Sequence, residues 1–142
     1  MFKTIKNLLN PKTTKVQGPV TSTPHAFEFV RMQVGIRAQT MALMEEIRLF
    51  QKTSDDWNRY ALLAGVKQTI VYYKEDFLPY LQSKGEIPEL LIGLEEKGQA
   101  IVSVLKTKEL TSESISFIVE EGQELADRIQ TSLHEEKRKV GL

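Results

Sequence analysis

The sequence contains no cysteine, which excludes disulfide bridges, thiolate zinc sites and cysteine nucleophiles and fits folding in a reducing compartment. It has two histidines, His25 and His134, so the side chain that most often relays protons near neutral pH is scarce. Carboxylate-bridged di-metal bundles need Glu-x-x-His pairs, and the residues three places before these histidines are Ser22 and Thr131. No Gly-rich phosphate loop, Gly-x-Ser-x-Gly elbow or dinucleotide fingerprint occurs. No apolar run approaches the roughly 18 residues that cross a bilayer, and Lys3 and Lys6 interrupt the stretch that an export signal would require. These absences predict a soluble cytoplasmic protein that is not an enzyme and has no metal, cofactor or small-molecule substrate.

Charge is balanced overall but not along the chain. Lys3, Lys6, Lys12 and Lys15 are the charged residues before Glu28, so residues 1–27 carry +4 and the remainder, which holds all nineteen carboxylates, carries −4. Four spaced lysines do not make the dense basic stripe that neutralises phosphates, and nucleic acid is an unfavoured partner.

At 142 residues and 41% apolar content, one domain with a real core is expected. Residues 1–22 read as a basic N-terminal arm. Phe2, Ile5, Leu8 and Leu9 fall at helical spacing opposite Lys3 and Lys6, Pro11 discourages continuation, and the Pro-, Gly- and Thr-rich stretch that follows reads as an extended linker. Residues 23–142 then show four cap-delimited amphipathic segments.

The first segment starts with Thr23 as N-cap and Pro24 as first helical residue, and runs to about Gln51. Phe29, Met32, Ile36, Leu43, Ile47 and Phe50 form its stripe, and Val30, Val34, Met41 and Met44 widen it towards a second side, which predicts a central helix. The second begins near Thr53 or Ser54 and carries Leu63, Val66, Ile70, Tyr73 and Phe77. Pro79 predicts a kink or break between Glu75 and Tyr80. The third runs from about Pro88 to Lys106 on Leu91, Leu94, Ile101 and Leu105. The fourth has Thr111 as N-cap, Leu110 and Ile115 as a hydrophobic staple, and Ile118, Leu125, Ile129 and Leu133 along its seam. Short connections predict an all-α, antiparallel up-down-up-down four-helix bundle.

Glycines 35, 65, 93, 98 and 122 fall inside these segments, where each costs about 0.5–1 kcal/mol relative to Ala. Close helix approach and simple tolerance both account for them. The doublets Glu45-Glu46, Glu95-Glu96, Glu120-Glu121 and Glu135-Glu136 read as solvated faces, because adjacent helical residues diverge by about 100°. His134 with Lys137 matches a phosphotransfer histidine superficially, and a solvated surface histidine is the expectation.

Aromatics concentrate on the second segment. Tyr72 cannot share the seam that Tyr73 occupies, so Tyr72 and Trp57 join Phe2, Lys3, Ile5, Lys6, Leu8 and Leu9 as candidate partner-binding residues. The sequence thus points to a non-enzymatic structural protein whose arm docks on copies of itself or on another protein in a larger complex, a plan that virus and phage particles use. Two other readings use the same residues: a peripheral membrane adaptor inserting the arm into a lipid surface, and a regulatory or inhibitory bundle that binds another protein.

Overall fold

The computed structural model describes the backbone of residues 24–141 and the side chains of residues 27–141; Thr23 and the arm lie outside them. The described residues are all-helical. They form α1 (Pro24–Lys52), α2 (Asp56–Tyr72), a π-helical turn (Tyr73–Phe77), α3 (Leu78–Ser83), a 3₁₀ turn (Glu89–Leu91), α4 (Leu94–Leu105) and α5 (Ser112–Lys139). The backbone stays helical from α2 through the π turn into α3, so these pieces count as one rod and the described residues form four.

Local chemistry fixes the helix ends. The N-cap of α2 is Asp55 and not Thr53 or Ser54: its carboxylate accepts the Asn58 backbone N–H at 2.8 Å, where the charge also favours the helix dipole. The Asn58 side chain donates to the Thr53 carbonyl and ties down the incoming turn. Pro79 does not break the helix. The Leu78 N–H bonds to the carbonyl of Tyr73, one residue wider than an α turn, and that widened turn absorbs a ring that would crowd the carbonyl four residues back.

The third helix starts later than its proline suggests. Pro88 is extended, the 3₁₀ turn follows, and Gly93 takes a left-handed conformation at φ 77° that delays α4 to Leu94. Gly93 therefore lies outside the helix to which the apolar pattern assigns it. At α5 the Thr111 hydroxyl accepts the Ser114 N–H at 3.0 Å, and Leu110 and Ile115 both pack against the core.

α1 packs against α2 and α5, and α4 packs against the same two helices from the other side. The space between them is filled by Phe29, Ile36, Leu43 and Ile47 of α1, Val66 and Ile70 of α2, Ile101 of α4, and Ile118, Leu125 and Ile129 of α5. On α2 the fully buried residue is Leu62, with Leu63 half-buried, because the helix is gripped between α1 and α4 and its seam turns towards Leu62, Thr69 and Tyr73. A methyl group on Gly98 would lie 2.5 Å from Ile70 Cδ1, so the missing side chain is what lets α4 settle this closely on α2.

Candidate interaction surface

α1 carries two apolar stripes. At about 100° per residue, the solvent-side stripe of Phe27, Val30, Val34 and Met41 sits roughly 140° around the helix from the core stripe. Phe27 and Val34 are each 67% exposed and Met41 is 55% exposed. The second stripe was expected to mark a central helix; instead α1 occupies one corner of the four, and among the described residues nothing covers that side. With Met44 the stripe extends about 25 Å along the axis. Exposed Arg37 interrupts it between Val34 and Met41, and exposed Arg31 and Arg48 flank it, the latter paired to Glu45.

A second feature lies where the N-terminal half of α1 meets the π turn. An open cleft of about 550 Å³ is lined by Met32 and Gly35 of α1 and by Tyr72, Glu75, Asp76, Pro79 and Tyr80 opposite, with Glu28, Arg31 and Ser83 at its edges. Tyr72 is half-buried there, its ring lying where a side chain on Gly35 would come within 3.2 Å. Tyr80 is buried against Phe29 at a ring separation of 5.8 Å, and its hydroxyl has no hydrogen-bond partner. Burial pushes the Tyr80 phenol above its ordinary pKa, against the opposing charge of Lys84. Glu75 and Asp76 are exposed and take part in no ion pair among the described residues.

The acidic doublets split as their 100° divergence requires, and the inward members are partly or fully buried rather than simply solvated. Glu136 is 2% exposed, held by Lys84 at 2.7 Å and Lys139 at 3.2 Å. Burial works against its charge, and the two lysines outweigh it and hold the carboxyl below the usual range. Glu121 pairs with Lys97, and Glu95 with Lys74 at 3.0 Å. Glu46 is different. Its carboxyl lies over Gly65 of α2, in space that a β-carbon would occupy, and its buried Oε1 has no partner, so burial raises its pKa.

The remaining chemistry is sparse. His134 is exposed, beside a smaller cleft of about 220 Å³ between α1 and α5 that Arg37, Gln130 and Lys137 also line. Among the described residues no three His, Cys, Asp or Glu side chains converge to hold a metal ion. No described helix is long and apolar enough to cross a membrane.

Of the residues singled out in the sequence, Phe2, Lys3, Ile5, Lys6, Leu8 and Leu9 lie outside the described residues. Trp57 is 79% exposed at the first turn of α2, with Tyr60 exposed one turn on. Tyr72 lies about 22 Å further along the same helix, so Trp57 and Tyr72 belong to two surfaces and not one. Val30, Val34, Met41 and Met44 are the interface candidates that the apolar count alone assigned to the interior; their separation from the core stripe was the available signal. Comparison with known protein families, with curated proteins and with solved structures finds no match. The described residues therefore define the chain by themselves: four helices, with an apolar side of α1 that none of the others covers.

Proposed function

We propose that this chain is a non-enzymatic assembly subunit, an antiparallel up-down-up-down bundle that packs on further copies of itself through the outward face of α1 and through its N-terminal arm. The observation that carries this reading is the second apolar stripe on α1. Scattered exposed apolar residues are ordinary, whereas several gathered on one side of one helix, here broken by Arg37 alone between Val34 and Met41, are what an interface helix presents. A second copy is the favoured occupant because a helix face patterned at steps of three and four can pair with itself about a two-fold axis.

Energetics set the division of labour. These five side chains are already a third to a half covered, so completing their burial contributes on the order of 1 kcal/mol each, and ten of them from two copies about 10. Association costs roughly 4–15 kcal/mol, so the α1 face alone gives weak pairing and the arm is needed to make the assembly hold. The arm's charge of +4 against a body of −4 favours a neighbour of the same kind.

The test compares the full chain with Val34→Glu/Met41→Glu by circular dichroism and multi-angle light scattering. Unchanged helicity with a fall to monomer mass supports the reading. Equal masses for the two proteins refute it, and binding of the parent to anionic vesicles with no self-association would transfer the same face to a lipid surface.

A further inference from the structure

We infer that the cleft between α1 and the π turn is the receptor for the N-terminal arm, taking residues 2–9 of a neighbouring copy. This rests on the assembly reading above and adds the site to it. The cleft offers what that segment lacks. Its lining includes Met32, Gly35 and Tyr72, and because Gly35 has no side chain the space beside the Tyr72 ring stays open. Its rim carries Glu75 and Asp76, exposed and without ion pairs among the described residues. The arm has the complementary residue types, Phe2, Ile5, Leu8 and Leu9 interspersed with Lys3 and Lys6 and no acidic residue.

Two further observations favour this place over the outward face of α1. That face carries Arg37, exposed and in no ion pair among the described residues, which repels a basic segment. The acidic rim belongs to the π turn, a rare widened turn whose Glu75 and Asp76 are exposed and line the cleft, and such turns are over-represented at functional sites. Reach is not limiting. Residues 11–22 extend to about 40 Å at most, enough to leave one body and enter the next.

The absence of cysteine makes a direct test available. Disulfide formation is followed in three full-length double variants: Ile5→Cys with Asp76→Cys at the cleft rim, Ile5→Cys with Val34→Cys on the outward face of α1, and Ile5→Cys with Glu120→Cys on exposed α5. The cleft assignment expects the Asp76→Cys pair to close fastest and to give a covalent dimer. Adding Lys3→Glu and Lys6→Glu should slow it by roughly twofold to thirtyfold at low ionic strength, with less effect in high salt. Glu75→Lys on that background should recover part of the rate. A fast closure within one chain keeps the cleft as receptor but overturns docking on a neighbour. Equal rates for the three pairs, or faster closure at either control, overturn the cleft.

Discussion

Replacing Gly98 with alanine measures how closely α4 approaches α2. Two effects oppose each other. Removing a helical glycine returns about 0.5–1 kcal/mol of backbone entropy. Against it, the new methyl group would meet Ile70 Cδ1 at 2.5 Å and Cγ1 at 2.6 Å, and the second of these is not the free end of a flexible chain. Overpacking of this kind costs roughly 1–3 kcal/mol, so Gly98→Ala should destabilise by about 0.5–2 kcal/mol and lower the melting midpoint by roughly 2–8 °C. The control is Ile70→Ala, which should itself cost about 2–5 kcal/mol. In that background the opposing atoms are gone, so Gly98→Ala should become neutral or stabilising, a coupling of about 1–3 kcal/mol between the two sites. Urea melts followed by circular dichroism read all four corners of the cycle. A stabilising Gly98→Ala in the parent, or the same effect in both backgrounds, would show that the glycine is merely tolerated.

Other substitutions probe the buried carboxyls. Glu46→Gln should stabilise the protein at neutral pH by on the order of 1 kcal/mol, because it removes a charge held over Gly65 without a partner. The raised pKa of Glu46 sets the sign: its contribution is fully present below the usual value near 4.5 and is lost as pH rises through the folded value, so the variant's advantage should vanish in acid. A stability difference that does not change with pH would contradict this. Glu136 runs the other way. Its pKa is lowered, so its contribution is present above about 4.5 and fades as pH falls through a lower folded value; Glu136→Gln should flatten the acid limb of the stability profile. Lys84→Met should cost about 1–3 kcal/mol by removing the nearer of its two cations, as a thermal melt would show.

How far the sequence could be read depended on whether each feature is local. The four helices, the start of α1 at Pro24, the cap at Thr111 and most of the core follow from apolar spacing and end-chemistry that a short window contains. The sequence starts the second helix near Thr53 or Ser54 and the cap is Asp55, since the three offer similar oxygens and only the turn geometry chooses among them. Pro79 predicts an interruption, and the chain resolves it with a wider turn that no spacing rule specifies. Gly93 looks helical in an apolar count and becomes left-handed because the 3₁₀ turn before it must be redirected. The second stripe on α1 was visible, but a pattern of apolar residues does not say which side of a helix its neighbours leave uncovered. Tyr72 was marked as off the seam, and the cleft beside it depends on Gly35, which lies far away in sequence.

Peroxide oxidation of Met41 and Met44 in the full-length protein tests the central claim most directly, because both methionines lie on the outward side of α1 and are about half exposed. Rates are measured by mass spectrometry across a dilution series, with the half-buried Met32 of the cleft followed alongside. If further copies cover this face, Met41 and Met44 should be protected at high concentration and become reactive on dilution, in step with the fall in molecular mass. Oxidation of both at one unchanging rate over the whole series, in a protein that remains monomeric, would contradict the account.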